Sequence, residues 1–154
     1  MFFSRIYGSW RNAQRDKYAW ILDKVGEGIF SGKILDIGAG PGYLGAFLAE
    51  RKIPADVVAL DIEKPADVIA DGGKMPFKDD VFDTVVSVDA MHLIEGIDFR
   101  VLKKGGFALL AIFFNSANYE ERKALLKNKL GGFQVISEFE LRGRENEYVI
   151  LGRK

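Results

Sequence analysis

Residues Lys33 to Glu50 read KILDIGAGPGYLGAFLAE. Ile34, Leu35 and Ile37 form a short apolar run of the kind used by a strand buried on both faces. Gly38, Gly40 and Gly42 follow at alternate positions. Leu44, Phe47 and Leu48 then fall at i, i+3 and i+4, a helical stripe. Strand, glycine turn and helix in this order predict the first βα unit of a doubly wound sheet. The N-terminus of the helix would face the ligand crevice.

Upstream, residues 1–32 precede the first strand. Trp10 to Val25 fits an amphipathic helix with Ala13, the Lys17 stem, Trp20, Ile21 and Lys24 on one face. Arg5, Arg11, Arg15, Lys17 and Lys24 interleave with Phe2, Phe3, Tyr7, Trp10, Tyr18 and Trp20. That mixture suits either a helix packed on the sheet or a basic-aromatic binding surface.

Downstream, Asp56 to Leu60 reads as the second strand, closing on Asp61. Glu63 to Ala66 is too short for a crossover helix, although parallel neighbours usually need a connection of about a dozen residues or more. An extended, helix-free crossover is therefore expected, with Asp67 to Ala70 a minimal edge strand. Asp71-Gly72-Gly73 is a turn and Lys74 to Asp80 a loop punctuated by Pro76. Val81 to Val88 is β-branched and apolar, a buried strand. Ala90 to Glu95 reads as a helical turn. Asp98 to Lys104 reads as another, ended by Gly105-Gly106. Phe107 to Phe114 is a central strand. Asn118 and Glu121 are spaced as a capping box for a helix running to about Leu130. Phe133 to Phe139 and Glu147 to Leu151 predict an antiparallel hairpin.

The predicted class is α/β: a doubly wound, mostly parallel sheet ending in a C-terminal antiparallel β-hairpin. It is a minimal version, with a shortened second crossover and no cap domain. Residues 1–154 are read as one domain, with 1–32 a helical segment able to act as a lid.

Bulk composition narrows the function classes. The 154 residues are 48% hydrophobic, enough for a real core. Twenty-two basic residues balance 22 acidic ones, so no global charge calls for nucleic acid or a membrane surface. No apolar run is long enough to span a bilayer, and MFFSRIYGSWR lacks the apolar core of a signal peptide. With no cysteine, disulfides, thiolate chemistry and cysteine-ligated metals are excluded. No metal site is assigned, and a cytoplasmic protein is expected.

The glycine spacing speaks to the ligand. A dinucleotide fingerprint would put its third glycine at position 43, which is Tyr43; the glycine is Gly42, after Pro41. A P-loop would end in Gly-Lys-Ser/Thr, where this chain has Gly42-Tyr43-Leu44. The carboxylates agree with a ligand lacking phosphates. Asp36, near the end of the first strand, would repel a pyrophosphate but accept from an ammonium or from water. Asp61, 21 residues after Gly40, can accept from a ribose diol. Asp71 can accept from an exocyclic amine. An amino acid joined to a nucleoside fits these groups.

Here the sequence resembles the class I S-adenosylmethionine-dependent methyltransferases, especially small members acting on metabolites. The matching pieces are LDIGAGPG, VVALDI, VIADGGKMPFKDDVFDTVVSVDAMHLI and VLKKGGFALLAIF, spanning about Lys33 to Phe114. Lys104 stands where the family usually has Pro, and the link between Asp61 and Asp67 is contracted. The resemblance implies a Rossmann-like methyltransferase fold and S-adenosyl-L-methionine as cofactor, leaving S-adenosyl-L-homocysteine. It implies that Gly38, Ala39, Gly40 and Gly42 let the backbone approach the methionine portion and ribose, with Asp36 beside them. Asp61 would hold the ribose hydroxyls, Ile62 would lie on the adenine, and Asp71 and Gly72 would meet its edge. Val88 and Asp89 would face the methyl group and substrate.

Methyl transfer from a sulfonium is an in-line displacement, so alignment and exclusion of water do most of the work. A base is needed only for a protonated nucleophile. The candidates are Asp89 and His92, the only histidine; a packing role for His92 is the competing reading. The fourth strand ends in SVDA rather than the Asn/Asp-Pro-Pro-aromatic tetrapeptide of amino-methylating base and glutamine enzymes. A small-molecule acceptor is therefore expected. Phe113, Phe114 and Asn115 could line its pocket. A cofactor-binding subunit dependent on a partner chain, an RNA- or protein-directed enzyme, and a homodimer stay open.

Overall fold

The computed structural model describes residues 2–143 and 145–154, with side chains from residue 11 onward. Seven strands form one sheet in the order β3-β2-β1-β4-β5-β7-β6. β1 is Gly32–Ile37, β2 Ala55–Asp61, β3 Val68–Ile69, β4 Phe82–Val88, β5 Leu102–Phe114, β6 Gln134–Leu141 and β7 Asn146–Arg153. β1 to β5 pair parallel, and β7 joins antiparallel to β5 and β6. The helices are α1 (Phe2–Val25), α2 (Tyr43–Glu50) and α3 (Tyr119–Lys129). The predicted mixed sheet with a terminal hairpin is the observed one.

Strand pleating divides the core into two layers. Ile34, Val86, Leu109 and Val149 face α1 and α2, meeting Tyr18, Ile21, Leu44, Phe47 and Leu48. Leu35, Val85, Leu110 and Ile150 face the other way, onto Leu126 of α3, Leu130 just past its end, and Met75, Met91 and Val101. Each large apolar side chain buried in this way contributes about 1.5–3 kcal/mol. The stripe Leu44, Phe47 and Leu48 is buried as its spacing demands.

The link from β2 to β3 is helix-free, and β3 is a two-residue edge strand beside Leu60 and Asp61. The contracted crossover therefore leaves the sheet order intact at the expense of one covering helix.

Three local expectations need correction. First, the buried face of α1 carries Gln14, Lys17, Tyr18, Ile21 and Leu22, whereas Ala13 and Lys24 are exposed. The face is rotated because a lysine, unpromising for a core, goes inside with its ammonium paired. Phe2, Phe3, Arg5, Tyr7 and Trp10 lie outside the described side chains.

Second, Gly105-Gly106 does not end a helix. Phe99–Val101 is a single 3-10 turn, and β5 starts at Leu102 and runs through both glycines. The register with β4 slips there, Phe82 opposing Leu102 and Thr84 opposing Phe107. A Cβ at Gly106 would come within 2.8 Å of the Asp83 and Lys103 carbonyl oxygens, so the bulge closes only around glycine.

Third, Asn118 caps no helix with its side chain. Its Oδ1 accepts from the Asn115 N–H at 2.7 Å, while Asn115 Oδ1 accepts from the N–H of Ala117 and Asn118. The two asparagines brace the β5–α3 loop against itself, and the capping box does not form.

Candidate functional site

The sheet order reverses at β1, with β2 on one side and β4 on the other. Such a switch point opens a crevice outside the carboxyl ends of the strands. A cavity of about 520 Å³ lies there, lined by Gly38, Asp61, Ile62, Asp71, Gly72 and Asp89 among the predicted site residues. Leu60, Ala70, Ala90, Leu93 and Ile94 complete much of the wall. Another cleft, between α1 and α2, is lined by Arg11, Arg15, Tyr43 and Glu50 and lies away from these strand ends.

The glycine turn is fastened to β2 before any ligand is considered. The N–H groups of Gly38 and Ala39 donate to Leu60 O at 2.8 and 3.2 Å, and the Gly40 N–H donates to Asp61 Oδ2 at 2.9 Å. Gly38 has φ of 71°, and a Cβ there would run into Ala90. No larger residue fits between the turn and the β4 tip. Gly42 is the left-handed residue that starts α2.

Asp36, Ala39, Gly40, Gly42 and Val88 stand beside or behind the crevice rather than on its surface. Asp36 is 2% exposed, on the sheet face covered by α1 and α2. Burial, and then the negative charge of Asp61, push its carboxyl up to about 8. Val88 packs against the α1–α2 core. Ile62 is 71% and Leu93 78% exposed, two apolar side chains at the mouth of the crevice. Asp71 Oδ1 accepts from the Gly73 N–H at 2.7 Å, so this carboxylate also shapes its own turn.

Asp89 follows β4 with φ of 61°, a strained value for a residue with a Cβ. Its conformation is held on three sides. Its N–H donates to Ala111 O at 2.9 Å, its Oδ1 accepts from the Phe113 N–H at 3.0 Å, and its Oδ2 accepts from Lys17 Nζ at 2.5 Å. The same ammonium lies 3.2 Å from Glu147 Oε2. Lys17 and Glu147 are 4% and 0% exposed. Burial works against the Lys17 charge, but Glu147 and Asp89 outweigh it and hold its pKa above the usual value. Burial, and then the hydrogen bond and charge of Asp89, push the Glu147 carboxyl far above the carboxylate range. Lys17, Asp89 and Glu147 thus form one buried ionisable cluster under the β4 tip. Sequence reading placed only the Lys17 stem in the core and passed over Glu147. A lone acid opening the run Glu147-Tyr148-Val149-Ile150-Leu151 was the available signal.

His92 sits in the 3-10 turn Met91–Leu93. Its ring meets the Phe113 ring edge-on, with centroids 5.4 Å apart. Burial, and then the Arg122 charge, lower its pKa, so the neutral imidazole prevails near neutrality.

Residues 35–110 match a family profile described as a methyltransferase domain. Malonyl-[acyl-carrier protein] O-methyltransferase of Geobacter sulfurreducens is 29% identical over 142 residues, covering 73% of this chain and 53% of that protein. The chain thus spans about half the length of this curated relative. A SAM-dependent methyltransferase from Aquifex aeolicus superposes with a TM-score of 0.64 at 16% identity, covering 85% of this chain and 88% of that one. A chain from the complex between the Haloferax volcanii Trm112 methyltransferase activator and a methyltransferase candidate gives 0.62 at 16% identity, covering 96% and 95%. The sequence matches and the shared sheet together support a class I S-adenosylmethionine-dependent methyltransferase. Among the described residues, no helix is long and apolar enough to cross a membrane.

Proposed function

We propose that the domain takes S-adenosyl-L-methionine in the crevice and transfers its methyl group to a small-molecule acceptor. The observation that carries this reading is the Gly40–Asp61 hydrogen bond, which couples the glycine turn to the β2 carboxylate on one wall of the cavity. The fit is chemical as well as spatial. A cavity of this size suits a nucleoside-sized ligand. Gly40 leaves open space where a side chain would stand, and the wall carries Asp61, Asp71, Asp89 and Glu95 against one lysine, Lys74.

In this reading Asp61 binds the ribose diol, and Ile62 covers the adenine, whose edge meets Asp71 and Gly72. Gly38, Ala39, Gly40 and Gly42 admit the methionine portion, with Asp36 near its ammonium. Val88 backs the β4 tip. The bound cofactor supplies an activated methyl group on a sulfonium. The chain contributes alignment and dryness, which are worth roughly 7–11 kcal/mol when two reactants are held in attack geometry. Asp89, with both oxygens engaged by donors, orients the acceptor side. Neutral His92 is the better proton acceptor where the nucleophile carries a proton. A cytoplasmic location and a single domain over 1–154, with α1 as its lid, belong to the same proposal.

A second reading is favoured by the exposed Ile62 and Leu93: the mouth is covered by a partner chain, and turnover requires it. One experiment separates the two. Purified protein is incubated with S-adenosyl-L-methionine and a metabolite extract, and S-adenosyl-L-homocysteine and methylated products are followed by mass spectrometry. Product formed by the protein alone supports the first reading. Cofactor binding without turnover favours the second.

A further inference from the structure

Beside the crevice, α3 carries a cation, Arg122, that has no paired carboxylate among the described residues. The Phe113 N–H bonds to Asp89 Oδ1, which fixes the end of β5 beside the crevice wall. Two groups then converge on the Phe113 ring. His92 meets it edge-on, and the Arg122 guanidinium of α3 stands 5.1 Å from its centroid. Arg122 Nη1 and His92 Nδ1 are both buried without a hydrogen-bond partner.

The other cations buried nearby are satisfied. Lys17 lies between Asp89 and Glu147, and Lys129 Nζ donates to the carbonyls of Ile94 and Glu95. Among the described ion pairs, no carboxylate lies within 4 Å of Arg122. A half-buried guanidinium with a free arm usually finds an anion, because the fork matches carboxylate geometry and the unpaired state is costly. Asp89 cannot serve, since Lys17 and the Phe113 N–H already hold it. Neutral His92 beside Arg122 adds a polar nitrogen without adding charge.

We propose that Arg122 and His92 form a subsite for an oxyanion of carboxylate size on the methyl acceptor, seated against Phe113. The proposal rests on reading the adjacent crevice as the methyl-donor site and deepens it: the acceptor is an anionic small molecule. Arg122 binds the anion, and His92 reports on it and shares it.

His92 is the only histidine, so its ring proton resonance titrates without overlap in proton NMR. The protein saturated with S-adenosyl-L-homocysteine is titrated from pH 5 to 8, alone, with malonate, and with inorganic phosphate. Malonate should raise the His92 pKa by about half a unit or more, roughly a threefold change in the proton equilibrium. In Arg122→Gln the His92 pKa should start higher, because a positive neighbour is gone, and malonate should no longer move it. Arg122→Lys keeps the charge but loses the fork, so its response should be intermediate. An unchanged malonate response in Arg122→Gln overturns the subsite, as does no response in the wild type. A larger shift with phosphate than with malonate overturns the carboxylate assignment. S-adenosyl-L-homocysteine binding is measured in the same samples. Its loss counts against the donor site, whereas its presence without a malonate effect counts against the acceptor subsite alone.

Discussion

Gly40 and Asp61, 21 residues apart on successive strand ends, are joined by a 2.9 Å hydrogen bond from the Gly40 N–H to Asp61 Oδ2. The bond braces the glycine turn against β2 and fixes the direction of the carboxylate. A ligand meeting both groups finds them already placed, which lowers the ordering cost of binding.

The turn should tolerate a methyl group at one glycine and not at its neighbour. Alanine at Gly40 meets open space and carries only the left-handed strain, about 1–2 kcal/mol. Alanine at Gly38 carries similar strain and also collides with Ala90. Gly38→Ala should therefore lower Tm by more, at roughly 2–4 °C per kcal/mol for a domain of this size. Adding Ala90→Gly should recover the difference. Differential scanning calorimetry of the three variants checks this order.

The buried cluster predicts two unlike responses. Glu147 holds its proton far above the pH at which it ionises in the unfolded chain, so Glu147→Gln should leave Tm at pH 7 nearly unchanged. Asp89→Asn removes an ionised partner from the buried Lys17 and should cost about 3 kcal/mol or more. Equal losses in the two variants, read by urea unfolding, would contradict a raised Glu147 pKa in the folded cluster.

Stability should fall as pH rises. Asp36 has a folded-state pKa of about 8 against an ordinary value of 3.8, so its folded form binds more protons across that window. The stability it contributes is full below about pH 4 and is lost through pH 8; Glu147 acts in the same sense at higher pH. Asp36→Asn should flatten the Tm profile between pH 5 and 8.

The same carboxyl should couple proton release to cofactor binding. A bound cation favours ionised Asp36, so below pH 8 S-adenosyl-L-methionine should displace a proton. S-adenosyl-L-homocysteine, without the sulfonium charge, should displace less. Calorimetry at pH 7 in buffers of different ionisation enthalpy measures the difference, and Asp36→Asn should abolish it.

The sheet was legible because its signals are local. ILDI, VVAL and FALLAIFF are apolar runs with turn residues between them, and the three glycines mark the first loop. Asp61, Ile62, Asp71 and Gly72 could be placed on the crevice because each lies at or within a few residues of the carboxyl end of a strand. The Lys17–Asp89–Glu147 cluster was not legible: it joins three elements far apart in sequence, and each charge is plausible inside only beside the others. The β5 bulge was missed because a Gly-Gly pair after a helical turn has the same local appearance as a helix stop. The capping box failed because Asn115 offered Asn118 a nearer partner.

The central claim is that the β1–β2 end of the crevice binds a nucleoside-linked amino acid through Asp61. Isothermal titration calorimetry of S-adenosyl-L-homocysteine against the wild type and Asp61→Ala tests it most directly. The account predicts saturable one-site binding to the wild type, weakened tenfold or more in Asp61→Ala, about 1.4 kcal/mol or greater. Absent binding, or equal affinity in a folded Asp61→Ala variant, would contradict it.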